Sequence, residues 1–178
     1  MAEEISLKYV DERDRCYGLA GMAMSAIVLD QAHMLLSINL DADADSMIQF
    51  APQYYFAGNP STSARIAWNQ MVQHYTLTMS LLIANVLSRG YMTGNTDITS
   101  PRLLRKLRAL IGIEGHDTCH LDDDEIDTLF NKQYSYMQRL FSHTGVQTVV
   151  NDFVRRLTAT RTMTAAEIID AFSALNYL

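Results

Sequence analysis

The sequence predicts an all-α protein, a six- or seven-helix bundle with two largely buried central helices. Three observations carry that reading. Apolar residues recur at helical spacing through most of the chain, and almost nothing alternates as a strand would. Helix-start signals stand where the periodic segments begin: Ser100-Pro101, the acidic run from Asp122, and Thr164-Ala-Ala-Glu167. Two long stretches carry no charge, and the first is apolar nearly all round, a pattern that belongs to helices in the middle of a bundle. Glycine and proline are scarce, 8 and 3 in 178 residues, and no repeat or composition shift divides the chain. The expected organisation is one domain over residues 1–178, with residues 1–12 as a flexible N-terminal arm.

The first helix is expected over residues 13–40, where Tyr17, Leu19, Met22, Ala23, Ala26 and Ile27 leave no polar face. Gly18 and Gly21 permit close approach of a neighbouring helix. A short segment over residues 45–56 is broken by Pro52, and Gly58-Asn59-Pro60 makes a turn before a cap at Ser61 or Ser63. The helix expected over residues 62–89 is the best patterned, with Trp68, Met71, Val72, Tyr75, Met79, Leu82 and Val86 on one repeat. Gly90 and Gly94 end it.

Ser100 caps and Pro101 opens a helix whose buried side is read as Leu103, Leu104, Leu107, Leu110 and Ile111, stopped by Gly112 and Gly115. Asp122 to Glu125 complement the dipole of the next, which carries Ile126, Leu129, Phe130, Met137, Leu140 and Phe141. After a break near Gly145 come Val146, Val149, Val150, Phe153, Val154 and Leu157. The capping box at Thr164 then leads into Ile168, Ile169, Phe172 and Leu175.

Composition bounds the function classes. Hydrophobic residues are 48% and charged residues 19%, enough for a sizeable core. The 20 acidic residues against 14 basic give a net charge of −6, which aids solubility and argues against a nucleic-acid footprint over the whole domain. Cys16 and Cys119 cannot form a disulfide framework, so a reducing compartment is expected. The N-terminus lacks the basic-then-apolar order of a signal peptide. The uncharged stretch from Cys16 to Leu29 is too short to span a membrane, and residues 66–88 contain Asn69, Gln70, Gln73, His74 and Asn85. A cytoplasmic protein without membrane contact is the expectation.

The densest cluster of ligand-type side chains runs from His116 to Glu125. On a helix, the spacing of His116 and His120 would set both imidazoles on one face, as a zinc site needs, whereas Gly112 and Gly115 argue for a loop there. The dyad His116-Asp117 resembles that of the HD phosphohydrolases, which are also all-helical; the resemblance is confined to this dipeptide and carries no claim of membership. It implies an earlier histidine ligand, His74 or His33, and a later aspartate, Asp152 or Asp170. The candidate metal ligands are thus His116, Asp117, His120 and His74, for zinc or manganese; no other cofactor is expected.

Asp41, Asp43 and Asp45 have the spacing of a calcium loop. Ser46 and Pro52 stand where that loop needs glycine and a bidentate glutamate, so an exposed acidic turn is expected instead. Arg102, Arg105, Lys106 and Arg108 interleave with leucines and read as a solvated outer face. Gln70, His74, Asn85 and Ser88, on a helix devoid of charge, read as a buried hydrogen-bond network. The alternative is a small-molecule pocket walled by Trp68, Tyr75, His74, Tyr54 and Tyr55, with Phe56 beside them. Phosphate-loop, dinucleotide, nucleophile-elbow and HExxH motifs are absent.

The leading functional expectation is a non-enzymatic bundle acting through protein–protein contact, with itself as a homo-oligomer or with another protein. Broad apolar stripes support it, as does the segment from Ala171 to Leu178, which stays apolar to the last residue and must dock on its own core or on another copy. The alternatives are a metal-dependent, phosphohydrolase-like enzyme using residues 116–125 and a bundle that binds a small ligand.

Overall fold

The computed structural model describes residues 7–55 and 63–178. Helix α1 (Glu12–Val28) begins at Asp11, whose carboxylate accepts from the Asp14 amide, and helix α2 (Ala64–Thr93) begins at Ser63, whose hydroxyl accepts from Ile66. Helix α2 passes through Gly90 and ends at Gly94, which takes the left-handed conformation. Asp14 meets Arg89 and Gly21 meets Ala84, so the two helices run antiparallel. They are the central pair: α1 is buried almost throughout from Cys16 to Ala26, and α2 over most of Tyr75 to Arg89. A Cβ at Gly21 would stand 2.6 Å from Ser88 Cβ and against the Ala84 carbonyl oxygen. The missing side chain is what lets the helices touch.

Helix α3 (Pro101–Cys119) is capped by Ser100 as expected and ends at His120, which has φ 53°. Gly112 and Gly115 do not stop it. Gly115 instead makes room for Tyr75, whose hydroxyl donates to the Ile111 carbonyl at 3.0 Å; a Cβ there would lie 2.6 Å from that hydroxyl. Helix α4 (Asp123–Ser142) opens with the Asp122/Glu125 capping box, helix α5 (Thr144–Thr160) follows, and helix α6 (Ala165–Ala171) opens with the Thr164/Glu167 box. Leu110, expected on the buried side of α3, is 51% exposed.

The helix expected over residues 13–40 is the main correction. It stops at Val28; Asp30 turns left-handed, and the chain enters strand β1 (Leu35–Asn39). This strand is the middle of a small antiparallel sheet, flanked by β2 (Ile48–Phe50) and β3 (Thr162–Thr164). Ile38 pairs with Ile48 on one side and Met163 on the other, and Ile38, Phe50 and Met163 are buried in the core. Only tertiary pairing explains this strand, since β3 lies on the far side of four helices in the sequence. The segment expected over residues 45–56 becomes β2 between 3-10 turns at Ala44–Ser46 and Pro52–Tyr55. Phe56, Gly58, Asn59, Pro60 and Ser61 lie outside the described residues.

The C-terminal segment docks on its own core. Phe172 is 1% exposed and stacks on Phe153 at 4.5 Å, while Tyr177 remains at the surface. No helix among the described residues is long and apolar enough to cross a membrane.

Candidate functional site

A cleft of about 430 Å³ opens where four segments meet. Its walls include Tyr9 ahead of α1, Leu19 and Met22 of α1, Ile48 and Phe50 of β2, and Leu82 and Val86 of α2. Tyr54 and Tyr55 line it from the turn after β2. The lining is mostly apolar, with Asn85 and Arg89 on its α2 side.

Arg89 builds that side. Its guanidinium is buried and meets the Asp14 carboxylate twice, Nε to Oδ1 at 2.8 Å and Nη2 to Oδ2 at 2.7 Å. Nη1 donates to the Leu7 carbonyl at 2.9 Å and Nη2 to the Lys8 carbonyl at 2.8 Å, and Asn85 Oδ1 lies 3.5 Å from Nη1. All five N–H donors of the guanidinium therefore have acceptors, and its charge is spent on structure rather than offered to the cleft. The arrangement pins residues 7–9, which the sequence placed in a flexible arm. The Tyr9 ring lies 4.8 Å from the guanidinium carbon, and the Tyr9 hydroxyl accepts from Asn85 Nδ2 at 2.7 Å. Burial pushes the Tyr9 phenol up from its ordinary value, so at neutral pH it keeps its proton as the polar handle of the cleft.

The five residues expected to wall a pocket separate into two groups. Tyr54 stacks on Phe50 at 4.2 Å, lies 4.9 Å from the His74 ring and 5.2 Å from Tyr55, and shares a hydrogen bond with Thr78 at 3.1 Å. Tyr54, Tyr55 and His74 are thus together, and the two tyrosines face the cleft. Tyr75 points the other way, into α3, where burial pushes its phenol up to about 12. Trp68 is 45% exposed near the end of α3 and donates to the Cys119 carbonyl at 3.2 Å. Helical geometry explains the division: Trp68 and Tyr75, seven positions apart, share the side of α2 that faces α3, whereas His74, next to Tyr75, leaves the helix in another direction.

Of the candidate metal residues, His116 is held by other partners. His116 lies on α3, not in a loop; its Nδ1 is 2.8 Å from the Leu121 carbonyl and its Nε2 3.2 Å from Asp123 Oδ1. His120 is the left-handed cap of the helix, Asp117 is at the surface, and His74 lies on α2, with Nε2 buried and without a hydrogen-bond partner among the described residues. Of the later aspartates, Asp152 pairs with Arg155 and Asp170 with Arg156. Among the described residues, no three His, Cys, Asp or Glu side chains group as a metal ion would require. Cys119 is buried, and burial raises its thiol above the ordinary value.

Elsewhere the expected readings meet specific geometry. Asp41, Asp43 and Asp45 form an exposed turn, and hydrogen bonds from Arg161 hold the Asp41 carboxyl below its ordinary range. Arg161 also reaches Glu12, tying the sheet to the start of α1. In the basic run, Arg108 folds against Asp127 and Asp123, while Arg102, Arg105 and Lys106 stay exposed. Of the four residues expected to form a buried network on α2, Asn85 bonds to Tyr9, whereas Gln70 is exposed and the buried Ser88 hydroxyl and His74 Nε2 have no hydrogen-bond partner among the described residues; Ser80, outside that set, bonds to Gln133. Sequence reasoning missed Asp14, Tyr9 and Arg89. The available signal was Arg89 itself, the charge that closes a long uncharged stretch of α2. No protein-family model, curated protein or solved structure matches this chain, so its function is read from this geometry alone.

Proposed function

We propose that the protein acts through protein–protein contact, as an assembly of copies of itself, rather than as an enzyme. The observation that carries this reading is the outer surface of α2 and α3. Ile66 and Trp68 on α2 are 47% and 45% exposed, and Leu110 and Ile113 on α3 are 51% and 59% exposed. Scattered exposed leucines are ordinary, but two consecutive helices that each present large apolar side chains outward favour a partner. Light scattering on the full chain over a concentration series tests it. The expected mass is at least twice the 20.1 kDa of one chain; a 20.1 kDa species at every concentration sinks the proposal.

A second reading is favoured by the cleft, whose apolar walls and three phenols, those of Tyr9, Tyr54 and Tyr55, suit a small hydrophobic molecule with a polar end. Tryptophan fluorescence is blind to it, because Trp68 does not line the cleft. Calorimetric titration with fatty-acid and aromatic probes would show saturable heat that Met22→Trp abolishes by filling the space. Heat that is absent, or unchanged in that variant, removes the reading.

A further inference from the structure

The outward face of α3 is self-complementary. Its inward side is Leu103, Leu107, Ile111, Gly115 and Cys119, all buried. Opposite them, Lys106, Leu110, Ile113 and Asp117 are all exposed and follow one another at steps of four, three and four. That spacing places them in one stripe along a helix. The charges are divided by position: Arg102, Arg105 and Lys106 in the first half, Glu114 and Asp117 in the second. None of these five side chains is in an ion pair among the described residues.

The stripe is symmetric about the peptide between Ile111 and Gly112. A second α3 laid antiparallel across it sets Leu110 against Ile113 of the other copy and Lys106 against Asp117 of the other copy. A two-fold axis makes each contact occur twice. A parallel arrangement would set Lys106 on Lys106 and Asp117 on Asp117, which costs rather than gains. A nucleic acid or an anionic membrane would match only the basic half. We infer that this face of α3 docks on the same face of a second copy, antiparallel and about a two-fold axis. The inference rests on the self-association proposed above and assigns the surface responsible. One helix pair buries an area at the small end of specific interfaces, so the dimer is expected to dissociate on dilution.

Sedimentation equilibrium on the full chain tests the pairing with the wild type, Lys106→Glu, Asp117→Lys, the double reversal, and Leu110→Asp combined with Ile113→Asp. All four positions are exposed, and circular dichroism checks that each variant folds. The apolar pair of substitutions should give a monomer. Each single reversal should weaken the dimer about tenfold, because it creates like-charge contacts twice, and the double reversal should restore it to within about threefold. A monomeric wild type overturns the self-association proposal itself. A wild-type dimer indifferent to all the variants overturns only the assignment to α3, and weakening without rescue overturns the antiparallel register.

Discussion

Arg89→Met should be the most damaging single substitution in the molecule that leaves side-chain volume nearly unchanged. The Arg89 side chain is 1% exposed and that of Asp14 is 7% exposed, so neither charge is relieved by water when its partner goes. Without the guanidinium, the Asp14 carboxylate keeps only the Val10 amide, at 2.9 Å, among the bonds that now hold it. The Leu7 and Lys8 carbonyls lose their donors at the same time. A buried charge stripped of its partner costs about 3–5 kcal/mol. Removing both charges, Asp14→Leu with Arg89→Met, leaves no buried charge without its partner, although the Leu7 and Lys8 carbonyls and the Val10 amide still lose theirs, and should cost about 1–3 kcal/mol, less than Arg89→Met alone. Urea unfolding followed by circular dichroism measures these two variants and Asp14→Leu alone, and amide exchange at residues 7–9 reports whether the arm is released. If Arg89→Met costs under about 1 kcal/mol, or the double variant loses the sum of the two single losses, the pair does not hold the arm to the core and the reasoning fails.

Three further outcomes follow from the packing. Gly21→Ala should destabilise by about 1–3 kcal/mol, because the added methyl meets the Ala84 backbone and Ser88 Cβ and the central helices must part; an unchanged urea midpoint would show that they can. Tyr75 has a folded pKa raised by burial from 10.0 to about 12, so its contribution is whole below pH 10.0 and is lost as pH climbs to about 12. Tyr75→Phe should lower stability by about 1 kcal/mol at neutral pH and flatten that alkaline decline; matching slopes in the two proteins would contradict the assignment. Elemental analysis of tag-free protein should find less than one zinc or manganese per chain, because both ring nitrogens of His116 already face protein oxygens. A stoichiometric metal lost in His116→Ala would overturn that and restore the phosphohydrolase-like alternative.

What was legible in the sequence is what local chemistry decides. Ser100-Pro101 and the boxes at Asp122 and Thr164 cap helices because the orphan amides lie within three residues of the side chain that satisfies them. The two buried helices were visible because a long charge-free stretch, apolar nearly all round in α1, admits few other placements. Strand β1 was not legible, since Leu35 to Asn39 is stitched to Phe50 on one side and to Thr162 on the other. The β2 partner is close in sequence, but β3, which makes β1 the middle strand, lies beyond four helices. Asp14 and Arg89 are 75 positions apart, with strands β1 and β2 between their helices, and each alone reads as an ordinary terminal charge. The residues expected to wall one pocket divide for a geometric reason: Tyr54 and Tyr55 share a turn and travel together, whereas adjacent positions on α2 point apart.

The reading of α3 shows how an interior contact decides what the surface can do. Glycines at 112 and 115 look like helix stops, and a helix ending there would carry Lys106 and Leu110 without Ile113 or Asp117. Its outward face would then be basic and apolar, a surface for some acidic partner. The helix continues to Cys119, and Gly115 is the position where the Tyr75 phenol lies against its backbone and bonds to Ile111. Gly115 is therefore kept small by the core, and its cost in helix propensity, about 1 kcal/mol relative to alanine, is offset by burial of a tyrosine. The extra turns bring Glu114 and Asp117 into line with the basic half, and with them the face becomes complementary to itself. Gly115→Ala would press on Tyr75 and displace the last turns of α3, so it should weaken self-association although residue 115 faces inward. If Gly115→Ala loses stability while the dimer constant stays put, the last turns are not part of the docking face, and the complementarity of Lys106 with Asp117 is coincidental.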